Sequence, residues 1–238
     1  MFIALEGIDG SGKSTQVDFI VQWLEAHGIA HEDILATREP TSDGESGKRI
    51  KRILSGEENM SLSPLAFQEL YIHDRKEHLE RAILPHLRRE CAIVVCDRYV
   101  LSTLAYGRAH GIAHDDLMAL HEKTLGPSWT MPDVIFLIDV SAETAMRRLE
   151  QRNKGKDPEY FESKKELLQK IAGEYRALAA LFPSVVVIDG EKTAEEVSQT
   201  IKKFLFSRVQ LAKKVLPTDH ILIDPGMGLF VSENPKYS

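Results

Sequence analysis

Residues 7–14 read Gly7-Ile8-Asp9-Gly10-Ser11-Gly12-Lys13-Ser14, the spacing G-x-x-x-x-G-K-S, and Thr15 follows. Ahead of them lies the short apolar run Phe2-Ile3-Ala4-Leu5. Behind them Val17, Ile20, Val21 and Leu24 recur at the helical period. Strand, glycine-rich turn and helix in that order make this a phosphate-binding loop rather than a chance glycine cluster. The glycines let several backbone N–H groups point at one anion, and the helix N-terminus adds partial positive charge. Lys13 is placed to reach the β- and γ-phosphates of a nucleotide, and the Ser14 hydroxyl to hold Mg²⁺. A chain built around this loop is committed to an α/β fold with a parallel sheet.

The rest of the chain keeps to that commitment. Ile34-Leu35-Ala36-Thr37 is a short strand candidate, Val134-Ile135-Phe136-Leu137-Ile138 a buried strand and Val185-Val186-Val187-Ile188 a last one, while Ala92-Ile93-Val94-Val95-Cys96 is an apolar run without alternation. Such a run suits a strand covered on both faces. With the first strand these segments make a five-stranded parallel sheet flanked by helices, a three-layer α/β arrangement. Gly28 reads as the end of the first helix, and Ser63-Pro64 as the start of another. That helix should reach about residue 84, bending or ending near Pro85, with Leu65, Ile72, Leu79 and Ile83 on its buried side. Ser141 and Thr193 open two later helices, and residues 161–181 read as helical. The segment 215–238 carries Pro217, Pro225, Gly226, Gly228 and Pro235 and no recognisable chemistry.

Composition narrows the classes of function. A net charge of −6 over 238 residues argues against general nucleic-acid binding. Cys91 and Cys96 bracket a strand and read as packing residues, not as a disulfide or metal pair. The N-terminus has no basic stretch before its apolar residues, and no apolar run is long enough for a membrane span, so a cytoplasmic protein is expected.

Ligands of open parallel sheets sit beyond the carboxyl ends of the strands. Asp97 and Arg98 end one strand and so project toward the phosphate loop, Asp97 as a further Mg²⁺ contact. Phe67, Tyr71 and Arg75 are spaced by four and share a helix strip, a stacking and hydrogen-bonding platform or a core aromatic with an ion pair. Arg147, Arg148, Arg152, Lys154 and Lys156, with Gly155 among them, suit a flap at about 147–162 that closes over phosphates; a solvated helix end explains some of them equally well.

Four segments resemble the thymidylate kinases, a family of P-loop nucleoside monophosphate kinases. They are Leu5-Glu6-Gly7-Ile8-Asp9-Gly10-Ser11-Gly12-Lys13-Ser14-Thr15, Thr37-Arg38-Glu39-Pro40, the pair Tyr71 and Arg75, and Asp97-Arg98-Tyr99-Val100-Leu101-Ser102-Thr103-Leu104-Ala105-Tyr106. Pro132-Asp133 with Leu137-Ile138-Asp139-Val140 is a weaker fifth. The resemblance covers about 1–206 and leaves 207–238 as an extension longer than the family usually has. It implies that Tyr71 stacks on the thymine ring, where phenylalanine is commoner, and that Arg75 hydrogen-bonds the base with Thr103 beside it. Tyr71 and Arg75 would form one wall of a pocket opening toward Arg98. Tyr106 would lie under the sugar and disfavour a ribose 2′-hydroxyl, Asp9 near the 3′-hydroxyl, and Glu39 in the signature loop near the acceptor. Arg98 would grip the acceptor phosphate.

One branch of the family carries an arginine inside the phosphate loop; Ile8, Asp9, Gly10 and Ser11 offer none. Arg148 and Arg152 match the flap arginines of the other branch, with lysines at 154 and 156. The implied reaction is Mg²⁺-dependent transfer from ATP to dTMP, with residues 7–15 and Arg148 on the donor and Lys13, Arg98 and Arg152 stabilising the transferring group. The implied assembly is a homodimer. Another nucleoside monophosphate as acceptor, or a non-catalytic nucleotide-binding role, are the alternatives.

Overall fold

The computed structural model describes residues 1–59, 62–152 and 158–215, and only the backbone of 158–163 and 207–215. In chain order the elements are β1 (Phe2–Glu6), α1 (Lys13–Ala26), β2 (Ile34–Arg38), α2 (Glu45–Ser55), α3 (Pro64–His78), α4 (Leu84–Leu87), β3 (Ile93–Asp97), α5 (Val100–Ala109) and α6 (His114–Leu125). There follow β4 (Val134–Asp139), α7 (Ala142–Arg152), α8 (Pro158–Ala179), β5 (Val185–Asp189) and α9 (Ala194–Val215). The five strands form one parallel sheet in the order β2-β3-β1-β4-β5.

Because successive residues of a strand face opposite ways, the uninterrupted apolar runs feed two cores at once. Phe2, Ala4, Val94, Cys96, Ile135 and Leu137 pack on one face with Ile72, Leu104 and Ile171 from α3, α5 and α8. Ile3, Leu5, Ile93, Val95 and Phe136 pack on the other with Ile20 of α1 and Ile201 of α9. Register then aligns the strand ends. Leu5 pairs with Asp97, and Asp97 with Arg38. β1 stands between β3 and β4, where the winding of the sheet changes direction, and the phosphate loop leaves from its carboxyl end, as expected for a site at such a switch. Asp133 sets the opposite end: its carboxylate accepts from Phe2 N at 2.7 Å and its own N–H donates to Phe2 O at 2.8 Å.

Three local details differ from expectation. The helix entering at Pro64 does end near Pro85, at Leu87, but it first passes through a π-helical turn, Leu79–Ile83, that the sequence does not announce. Proline lacks an N–H and its ring crowds the carbonyl four residues back. The wider turn just upstream opens that crowded position and lets the helix continue. Leu65, in the first turn of α3, is 44% exposed, whereas Ile72, Leu79 and Ile83 are buried. The buried apolar strip starts two turns later, at Ile72. Of the two free cysteines only Cys96 packs inside; Cys91 is exposed at a positive φ of 60° in the turn before β3. α7 and α8 stand where two helices flanking a flap were expected. Residues 153–157, with Lys154, Gly155 and Lys156, lie outside the described residues, as do 216–238. Among the described residues no helix is long and apolar enough to cross a membrane.

Candidate active site

Gly7, Gly10 and Gly12 hold φ of 139°, 83° and 99°, a curl that turns the loop's amides inward. At Gly10 the need is doubled, since a Cβ there would sit 2.5 Å from the Ala145 carbonyl of α7. A side chain at that position would force α7 or the loop to shift. Lys13 is the first residue of α1 and folds back over the curl. Its Nζ donates to Gly7 O at 3.0 Å, Ile8 O at 2.8 Å and Ser11 Oγ at 3.3 Å. Burial, with the nearby Arg98 charge next, lowers Lys13 to about 7. The three acceptors match the three N–H groups of the charged form and work against that loss.

Next to the lysine, Ser14 Oγ donates to Asp97 Oδ2 at 2.5 Å, and Arg38 Nη2 lies 3.2 Å from both oxygens. Asp97 Oδ1 is buried and without a partner among the described residues. A hydroxyl, a carboxylate with an uncommitted oxygen and an aligned strand end fit a hard divalent cation that takes its remaining ligands from phosphates and water.

Arg98 follows at φ 74°, a left-handed conformation that costs a non-glycine residue about 1–3 kcal/mol. That backbone turns the side chain back to the loop. Its Nη1 donates to Gly7 O, Ser102 Oγ and Tyr175 OH at 3.0–3.3 Å, and its Nη2 donates to Asp9 Oδ1. Lys164 of α8 approaches the other Asp9 oxygen at 3.8 Å. Burial pushes the Asp9 pKa up, but Arg98 and then Lys13 outweigh it and the net shift is downward.

Beyond Arg98, α3 and α5 pack on each other, where the sequence places the expected acceptor cleft. The Arg98 guanidinium lies over the Tyr106 ring at 5.5 Å. Burial raises the Tyr106 hydroxyl to about 12, Arg98 acting against it. Tyr71 is half-buried with Phe67 edge-on to it at 5.3 Å, and it lies in the field of Arg98, Tyr106 and Asp9. Thr103 is 2% exposed, and its Oγ1 has no partner among the described residues. Arg75, one turn beyond Tyr71, is not on an open wall but 1% exposed, with its guanidinium over Tyr99 at 4.8 Å. Its Nε and Nη2 donate to Glu39 Oε2 at 2.9 and 2.7 Å, and His78 Nδ1 donates to the other Glu39 oxygen at 3.2 Å. Glu39 itself is 5% exposed, so its contact with the cleft runs through Arg75.

On the opposite side of the loop, α7 closes a cavity of about 220 Å³ lined by Ser11, Gly12, Thr15, Gln16, Arg148 and Lys192, among others. Arg148 spans its mouth, donating to Ser11 O at 3.3 Å and Gly190 O at 2.9 Å. Arg152, the last residue of α7, is exposed, and no hydrogen bond or ion pair among the described residues brings it to the loop. The phosphate loop thus borders a cavity on its α7 side, and Lys13, Arg98 and Arg148 all bond to it.

Residues 5–201 match the family model described as Thymidylate kinase. The chain belongs to the thymidylate kinase family. It is 35% identical over 203 residues to a "Probable thymidylate kinase" of Pyrococcus horikoshii, covering 84% of this chain and 93% of that one. A "Thymidylate kinase" of Mesoplasma florum is 34% identical over 216 residues, 90% of this chain and 99% of that one. One of Thermosipho africanus is 33% identical over 214 residues, 88% and 100% of the two chains. The protein is therefore a P-loop nucleoside monophosphate kinase.

As a member of this family it uses residues that its sequence did not advertise. Glu6 ends β1 fully buried, and its carboxylate accepts from Tyr99 N at 2.8 Å, Ser102 N at 3.1 Å, Ser102 Oγ at 2.6 Å and Tyr175 OH at 3.1 Å. It caps α5 from another strand and so fixes Arg98. An acid closing a wholly apolar strand was the available signal. Arg38 lies within the matched segment 37–40 but had no role attached to it, and Gln16 left no signal: its amide donates to Ala194 O at 2.9 Å, 178 residues away.

Proposed function

We propose that this thymidylate kinase family member transfers the γ-phosphoryl group of ATP to dTMP, giving dTDP and ADP, with Mg²⁺ bound. The observation that carries the reading is Arg98, which donates to the phosphate loop at Gly7 O and Asp9 while its guanidinium lies over the Tyr106 ring of α5. ATP lies along the loop with its base in the cavity that Arg148 spans. dTMP lies in the cleft with its phosphate toward Arg98. The pyrimidine stacks on Tyr71, and the orphaned Thr103 hydroxyl and the remaining N–H groups of Arg75 meet its polar edge. Tyr106 occupies the space under the sugar, where a ribose 2′-hydroxyl would fall, and Asp9 faces the 3′-hydroxyl.

The acceptor is already an anion, so the protein has no strong base to supply. It positions two like-charged groups and neutralises them. Lys13 moves from the loop carbonyls onto the donor phosphates, Arg98 holds the acceptor, and Arg152 adds positive charge at the transferring group. Bound at Ser14 and Asp97, Mg²⁺ would supply charge neutralisation across the phosphate oxygens. Exclusion of water keeps the phosphoryl group from hydrolysis. The family's homodimer and a compartment where dTMP is made complete the reading.

A panel of nucleoside monophosphates, assayed by ADP release with Lys13→Ala as control, tests it. dTMP should be the preferred acceptor, and Lys13→Ala should lower kcat roughly 10²–10³-fold with an unchanged circular dichroism spectrum. Saturation by some other acceptor alone, or near-normal turnover without the lysine, would overturn it.

A further inference from the structure

Arg75 is buried in a network whose far side no motif predicts. While its Nε and Nη2 are held by Glu39, its Nη1 lies 2.8 Å from Nε2 of His121 on α6. The other imidazole nitrogen, Nδ1, lies 2.7 Å from the Leu117 carbonyl. A carbonyl oxygen only accepts, so Nδ1 carries the hydrogen. Nε2 then presents a lone pair, the only partner a guanidinium N–H can use. Burial first and the Arg75 charge second drive the His121 pKa down to about 3, which keeps that lone pair in place. Trp129 packs edge-on against the ring at 5.2 Å and holds its plane. Arg75 therefore sits in a vice. Glu39 fixes one edge of the guanidinium and His121 the nitrogen on the other side, while Tyr99 lies beneath.

We propose that His121 is a positioning residue for base recognition: its Nε2 takes one Nη1 hydrogen of Arg75 and turns the remaining N–H pair toward a carbonyl on the pyrimidine. This rests on the reading of Arg75 given above. A guanidinium has five N–H groups, of which Glu39 takes two and His121 one. The two that remain lie on the two terminal nitrogens, a fork that meets an acceptor such as the 4-carbonyl of a thymine or uracil and rejects the 4-amino group of a cytosine. Without His121 the Nη1 side loses its partner and the fork loses its fixed direction.

Steady-state kinetics on the full chain test the role. His121→Leu should raise KM for dTMP about tenfold while kcat and KM for ATP stay within twofold. His121→Gln, whose amide oxygen accepts at similar reach, should recover most of that loss; His121→Asn, too short to reach Nη1, should not. In an Arg75→Met background His121→Leu should change KM for dTMP no further. Equal KM in the Gln and Asn variants would overturn the proposal, whether or not the Leu variant folds. So would a parallel fall of every parameter in all three, or an undiminished effect in the Arg75→Met background. Wild-type chain that fails to phosphorylate dTMP would sink the proposed function; normal wild-type turnover with indifferent His121 variants would sink only this role.

Discussion

Lys13 is held between two opposing demands. An empty loop buries it beside Arg98 and draws its pKa to about 7, while a bound triphosphate supplies the anion that restores the charge. The sign follows. Below about pH 7 the lysine is charged with or without nucleotide, and binding moves no proton. Above it the free enzyme releases the proton and ATP takes it back up. Calorimetry of ATP binding at pH 8 in buffers of different ionisation enthalpy should register uptake of a fraction of a proton, and affinity should weaken as pH rises from 7 to 9. An enthalpy independent of the buffer would show that the three carbonyl and hydroxyl contacts already hold the proton. Glu6 makes the complementary case. Its carboxylate caps α5 through Tyr99 N and Ser102 N, and Glu6→Ala strands both donors in the core. Charged hydrogen bonds of this kind are worth about 1.5–3 kcal/mol each, so denaturant unfolding should show a loss of roughly 2–5 kcal/mol. A smaller loss than about 1 kcal/mol would mean that the helix needs no cap from β1.

At the scale of elements, the phosphate loop and α7 behave as one unit. Gly10 packs without a Cβ on Ala145 O, and Glu191, from the loop after β5, accepts from Ser141 N and Thr144 Oγ1 at the start of α7, both at 2.6 Å. Arg148 ties the middle of α7 to both loops. The helix that carries Arg148 and Arg152 is thereby anchored to the phosphate loop and to the loop after β5 at three points. Gly10→Ala sets a side chain into a left-handed backbone and a carbonyl at once. The backbone alone costs about 1–3 kcal/mol. Tm should fall by roughly 3–10 °C, and kcat/KM for ATP should fall further than that for dTMP. Equal losses for the two substrates would argue that α7 is not specifically coupled to the donor side. The π-helical turn at Leu79–Ile83 shows the same dependence of local geometry on packing. Pro85 predicts the helix end nearby but not the turn before it; Leu79 and Ile83 on either side of the turn are both fully buried, and their packing keeps the helix running as far as Leu87.

For the molecule as a whole, the two cores on either side of the sheet are built, among the described residues, by side chains up to Leu205. The family match ends at 201, and β5 with α9 closes the second core through Val197, Ile201 and Leu205. A chain ending at Val215 should accordingly keep its Tm within a few degrees and its kcat for dTMP within twofold; a large loss of either would assign 216–238 a structural or catalytic part. The five strands, the phosphate loop and the ends of most helices could be read from the chain because each depends on neighbours in sequence. Apolar runs, Gly7 to Ser14, Ser63-Pro64 and Thr193 act over a few residues, and Asp97 and Arg98 inherit their place from the strand they end. Family resemblance added Tyr71, Arg75, Thr103 and Tyr106 to the cleft. What the sequence by itself determined was therefore the sheet, the loop and the basic and acidic residues that stand at the loop and at the strand ends beside it. Only tertiary structure decided that Glu6 caps a helix 93 residues away, that Arg38 lies on Ser14 and Asp97, that Gly10 must stay bare against Ala145, and that Arg75 is clamped between Glu39 and His121. These are pairings of buried polar groups, settled by the need of each to find a partner once water is gone, and periodicity along the chain carries no record of which distant atom that partner is.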